Sequence, residues 1–188
     1  MALQFNIERI EVDSVPQDQF TKLVLDSYEK TGDQYPWPES HNTPEEAAAW
    51  YYTYMHETAS NEVFAPGVTS RIFIWRIPET VSSEQPYGFI LAAFRVIIDG
   101  PRLLLTDGVI GKDPNDSRAW VYDPDFKQAD MKWRRDNGIT EVSFVTYHEL
   151  TKLDNFINSH WSQNEGLTGE TEEDSGVVYK KTYGVLSQ

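Results

Sequence analysis

Arg102-Leu103-Leu104-Leu105-Thr106-Asp107-Gly108-Val109-Ile110 reads as a strand, and its continuation decides the fold. A polar loop, Gly111-Lys112-Asp113-Pro114-Asn115-Asp116-Ser117-Arg118-Ala119-Trp120, leads to Asp123-Pro124-Asp125-Phe126, which opens a helix with Phe126, Ala129 and Trp133 on one face. Gly138 caps that helix, and Glu141–Tyr147 is again β-rich. A strand, a helix and a second strand of one sheet require a right-handed crossover. The two strands are therefore expected as parallel neighbours.

Working outward, Asp99-Gly100 is a turn signal. It joins this strand to the β-rich run Tyr87–Ile98, and a polar stretch separates that run from Arg71–Ile77. Near the start, residues 4–12 alternate as a strand, and Ser14-Val15-Pro16-Gln17 has the form of a capping box. Phe20, Leu23, Val24 and Tyr28 follow at helical spacing until Gly32. Gly32–Pro38 is a loop that prolines hold extended. Thr43-Pro44-Glu45-Glu46 places a cap, a first-turn proline and a carboxylate in helix-starting order. Trp50, Tyr51, Tyr54 and Met55 then form a stripe expected in the core. Beyond the central unit, Leu153, Phe156, Ile157, His160 and Trp161 mark a fourth helix, Gly166–Gly176 an acidic loop and Val177–Leu186 a closing strand. The order is β-α-α-β-β-β-α-β-α-β, and nothing splits the chain, so 1–188 is expected as a single domain.

Thirty acidic residues stand against 16 basic ones, a formal charge of −14. That field repels nucleic acid and anionic membranes and favours cationic partners. Without cysteine there is no disulfide, thiolate nucleophile or Cys-type zinc site. The opening residues lack a basic segment followed by a long apolar run, so a cytoplasmic origin is expected. Gly-x-Ser-x-Gly, Gly-Lys-Ser/Thr phosphate loops and His-Glu-x-x-His are all missing.

The element order resembles the GNAT (N-acetyltransferase-like) superfamily over nearly the whole chain. Gly138-Ile139-Thr140-Glu141-Val142 is similar to its helix-glycine-strand step, and Asn155 and Gly166 fall where its late motif would lie. The resemblance implies an α/β (α+β) fold, a mixed twisted sheet with helices on both faces whose fourth and fifth strands splay apart at their C-terminal ends. It also implies an acyl-CoA site in the loop after the fourth strand, where Arg/Gln-x-x-Gly-x-Gly/Ala lets backbone N–H groups cradle the pyrophosphate. Here that loop has one glycine, a proline and two aspartates, and Asp123 and Asp125 bring carboxylates to the helix start. Gly111, Lys112 and Arg118 are the remaining cofactor-binding candidates. The family's acid would fall near Ser162, beside Trp161, and neither protonates a thiolate well. No bound cofactor is expected, and acetyl-CoA only if the chain is an active acyltransferase on a small amine or lysine.

Asp107 at the end of the fourth strand is a candidate general base, with His148 or Glu149 expected nearby at the end of the next strand, although an Asp before Gly108 is ordinarily a turn residue. No metal site is expected. Lys127, Lys132, Arg134 and Arg135 gather on the third helix, where intrahelical pairing competes with a partner surface. The closing segment is similar in outline to GNAT-like virion-associated proteins of tailed phages. That resemblance implies an assembly component with protein partners, made in the host cytoplasm and carried into the virion. Tyr35, Trp37 and Trp120 are the aromatics expected to form its contact patch.

Overall fold

The computed structural model describes residues 5–31, 43–61, 65–147, 170–174 and 178–184. The elements in chain order are β1 (Glu8–Val12), α1 (Gln17–Thr31), α2 (Pro44–Asn61), β2 (Val68–Ile77), β3 (Phe89–Asp99), β4 (Arg102–Ile110), α3 (Pro124–Asp136), β5 (Glu141–Tyr147), β6 (Glu170–Asp174) and β7 (Val178–Gly184). They build one seven-stranded sheet in the order β1-β2-β3-β4-β5-β7-β6. Every pairing is antiparallel except β4 with β5, which run parallel and are joined through α3, as a right-handed crossover requires.

Three of the predicted turn and cap signals have visible causes. Thr43 Oγ1 accepts the Glu46 N–H at 3.2 Å and caps α2. Gly100 turns β3 into β4 at φ +54, and Gly138 ends α3 at φ +68. The entry to α1 is held from outside: the Val15 N–H donates to His56 Nε2 of α2 at 3.0 Å. Because His56 Nδ1 lies 2.7 Å from the Tyr52 carbonyl, the ring is fixed with its proton on Nδ1.

β2 divides the core by simple alternation. Ile72 and Ile74 face Phe20, Leu23, Val24, Ala48 and Met55 of the two N-terminal helices. Phe73 packs on the opposite face with Val96, Leu103, Val142 and Trp133, and Trp75 and Ile77 pack there with Leu91, Trp120 and Val121. Two bulges alter the parity of the next strands. Leu91 has no partner in the β2–β3 register, and Thr106 has none in the β3–β4 register. Beyond Thr106 the faces exchange: Leu103 and Leu105 lie with α3, whereas Val109 joins the α1–α2 cluster.

Four expectations change. Gly166–Gly176 is not simply an acidic loop, because Glu170–Asp174 is the edge strand β6. Its register sets Glu172 opposite Lys180 and Thr171 opposite Lys181. The stripe on α2 is only partly core. Met55 is fully buried, but Trp50 and Tyr54 are 42% and 39% exposed and stack at 5.3 Å. Asp107 is no turn residue: it pairs with Arg95 inside the ladder, and Gly108 lies beneath the Phe94 ring. Trp120 is buried. The predicted fourth helix lies outside the described residues.

A charged cluster joins α3 to β1. Arg9 Nη1 meets Asp130 Oδ1 at 2.5 Å, and Arg134 Nη2 meets Asp130 Oδ2 at 2.6 Å. The Arg9 guanidinium stacks 3.6 Å from the Trp133 ring centroid and also lies over Phe73. Burial lowers Arg9 from the usual arginine range to about 10, against the pull of Asp130, and Arg134 adds to the lowering. The folded value lies below the unfolded one, so burying the charged form costs stability at neutral pH, and that cost fades only above pH about 10. Removing Asp130 and removing Arg9 therefore have unequal consequences. Asp130→Asn leaves two guanidiniums facing each other and is expected to cost about 3–5 kcal/mol in urea denaturation, whereas Arg9→Met keeps the Arg134–Asp130 pair and costs less. Equal losses would show that the Arg9–Asp130 contact itself carries the stability.

Candidate functional site

The parallel β4–β5 ladder covers only Arg102–Leu105 against Glu141–Phe144. It stops one residue before the Thr106 bulge, and both strands continue without pairing to each other. Pairing thus ends at the place where the splay is expected, next to the unpaired Thr106, the kind of residue that bends a strand.

Where β4 ends, the Gly111 N–H donates to the Leu91 carbonyl at 2.8 Å, so one bulge residue anchors the loop exit. Gly111 passes so close to α1 that a Cβ there would collide with Leu23 Cδ2. The loop then folds around one carboxylate. Asp113, itself buried, accepts the N–H of Asn115 at 2.8 Å and of Ser117 at 3.0 Å on the same Oδ1. The Asp113 N–H donates to the Ser117 carbonyl at 2.7 Å, and the Asp116 N–H donates to the Asp113 carbonyl at 2.9 Å. Asp116 takes a left-handed φ of +60, which short polar residues tolerate. The Ala119 N–H finds Ser117 Oγ at 3.0 Å. The loop thus satisfies these donors itself.

The cations of the loop are engaged as well. Lys112 pairs with Asp116 at 2.9 Å, and Arg118 Nη2 donates to the Asp26 carbonyl of α1. Trp120 is only 1% exposed, its indole N–H reaching the Gly111 carbonyl at 3.3 Å. It is a loop anchor and not part of a contact patch, because its ring fills the space beside Trp75, Leu91 and Val121. Asp123, buried and extended at φ −68 and ψ 129, stands directly before Pro124 at the start of α3.

Of the other candidates, Asp107 lies on β4 just past the last β4–β5 pair. His148, Glu149, Tyr35 and Trp37 lie outside the described residues. The basic cluster on α3 separates: Arg134 turns inward to Asp130, and Lys132 pairs with Asp136. Gln128, Ala129, Lys132 and Arg135 line a shallow cavity of about 600 Å³. Among the described residues no group of acidic or histidine side chains could hold a metal, and no helix is long and apolar enough to cross a membrane. Sequence reasoning does not anticipate that the loop satisfies itself. The available signal is Asp113 followed at two and four residues by N–H groups able to bond its side chain, the pattern of an Asx turn.

No protein-family model matches the sequence, and no curated protein matches it. Solved structures do share the fold. The PaiA N-acetyltransferase of Thermoplasma acidophilum, solved with coenzyme A, superposes with a TM-score of 0.55 at 13% identity, over 95% of this chain and 99% of that one. A GNAT-family acetyltransferase from Staphylococcus aureus gives 0.51 at 8% identity, over 96% and 100%. The chain therefore has the fold of the GNAT N-acetyltransferases. At such identities the likeness establishes architecture alone.

Asp113 is testable as the centre of its loop. Asp113→Ala strands two N–H groups and is expected to lower stability by about 1–3 kcal/mol. Asp113→Asn keeps an acceptor oxygen and is expected to lose less. Urea denaturation of both variants decides this, and equal stability of Asp113→Ala and the parent would show that the carboxylate does not organise the loop.

Proposed function

We propose that this chain uses the GNAT fold as a binding scaffold, an assembly component with protein partners, and that it does not carry out acyl transfer. One observation carries the reading: the Asp113 carboxylate accepts the N–H groups of Asn115 and Ser117, so the loop is closed around an anion of its own. A pyrophosphate entering there would meet a fixed negative charge and would have to break several hydrogen bonds before making any. Asp123 at the start of α3 adds to the repulsion. The similarity of the closing segment to virion-associated GNAT-like proteins agrees with a role in assembly.

A second reading, acyl transfer from acetyl-CoA to a small amine or lysine, has in its favour the parting of β4 and β5 after Leu105 and Phe144. It requires a different set of donors for the phosphates and a base such as Asp107. Calorimetry with acetyl-CoA at low ionic strength separates the two. Binding weaker than about 1 mM, or none, is expected, whereas micromolar affinity, about −8 kcal/mol, would overturn the scaffold reading.

A further inference from the structure

The burial of Trp120 removes one aromatic from the surface, and α2 presents others. Trp50 and Tyr54 are one helical turn apart and both exposed, with ring planes 11° apart and centroids separated by 5.3 Å. Tyr51, partly buried against Phe20, stands behind Trp50 with its ring 20° from that of Trp50. Ala49 and Thr53 lie exposed beside the rings, and Glu45 and Glu46 are exposed one turn earlier on the same helix. Over its 18 residues, Pro44-Glu45-Glu46-Ala47-Ala48-Ala49-Trp50-Tyr51-Tyr52-Thr53-Tyr54-Met55-His56-Glu57-Thr58-Ala59-Ser60-Asn61, α2 contains no lysine or arginine.

We propose that this face of α2 is a docking surface for an arginine-bearing segment of a partner protein. The choice of occupant follows from charge complementarity. The chain carries −14, so its field concentrates cations at its surface, and α2 offers carboxylates and aromatic rings while supplying no lysine or arginine. Arginine uses both features: its guanidinium lies on aromatic rings and forms forked hydrogen bonds to a carboxylate. The rings sit on a rigid helix whose other face, through Ala48 and Met55, is locked into the core, so little ordering entropy is lost on docking. Two exposed rings stacked side by side also give the flat face on which a guanidinium lies. This inference deepens the scaffold reading and rests on it.

The test uses the full chain and an end-blocked hexa-arginine peptide, with a glycine-serine peptide of equal length as control, followed by fluorescence anisotropy. Binding of the arginine peptide is expected, weakening as salt rises. Trp50→Ser/Tyr54→Ser, which removes the rings and keeps every charge, is expected to weaken it at least about 10-fold, with circular dichroism unchanged. Glu45→Gln/Glu46→Gln is expected to weaken it too, and mainly by slowing association. Undiminished binding to the ring variant would reduce the effect to the general acidity of the surface and overturn the proposal, as would no binding at all. The acetyl-CoA titration is unaffected by either result, so failure of this surface and failure of the scaffold reading are told apart.

Discussion

β4 has to serve two faces of the sheet in nine residues, and much of the architecture depends on how it does so. Its first half packs Leu103 and Leu105 under α3, and its end packs Val109 against α1 and α2. Strict alternation cannot satisfy both, because positions 105 and 109 would share a face. The unpaired Thr106 exchanges the faces, and pairing with β5 has ended at Leu105. The matching bulge at Leu91 on β3 then offers the carbonyl that takes the Gly111 N–H and fixes where the loop begins. From that point the Trp120 indole donates to the Gly111 carbonyl, and its ring packs beside Trp75, Leu91 and Val121.

Past its last pair with β5, the bulged end of β4 leads into a short loop. In this chain the loop's polar groups are turned on one another. A single oxygen of Asp113 organises the turn, Lys112 is held by Asp116, and Arg118 ties the loop to the carbonyl of Asp26 on α1. A carboxylate held by two N–H groups is a charge-assisted arrangement, stronger than a neutral turn and resistant to displacement by another anion. The fold is shared with acetyltransferases, and on the proposed reading the polar groups of this loop serve one another instead of a phosphate.

Much of this architecture is legible in the sequence. The strand-loop-helix-strand unit, the glycine at 138 and the Thr43-Pro44-Glu45-Glu46 start depend on short-range chemistry, and they stand where periodicity and capping put them. Trp120 escapes such a reading because it sits in a polar loop with no periodicity to imply burial, whereas its indole reaches a carbonyl nine residues back. Trp50 and Tyr54 mislead in the opposite sense. Their helical spacing is genuine, but Phe20, Ala48 and Met55 fill the space between α1 and α2, and the two rings fall outside it. β6 is hidden because Glu170-Thr171-Glu172-Glu173-Asp174 has almost no intrinsic strand preference, and its place depends on the backbone pairing offered by β7. The Arg9–Asp130–Arg134 cluster joins residues more than a hundred positions apart, which local patterns do not register.

Everything said of function depends on the loop after β4 holding its own anion. Amide exchange at Asn115 and Ser117, followed by nuclear magnetic resonance with and without inorganic pyrophosphate, addresses this most directly. Slow exchange at both amides, with neither rate nor chemical shift altered by millimolar pyrophosphate, is the expected result. Rapid exchange in the free protein, or protection that appears only when pyrophosphate is added, would contradict it and return the loop to the role of a phosphate cradle.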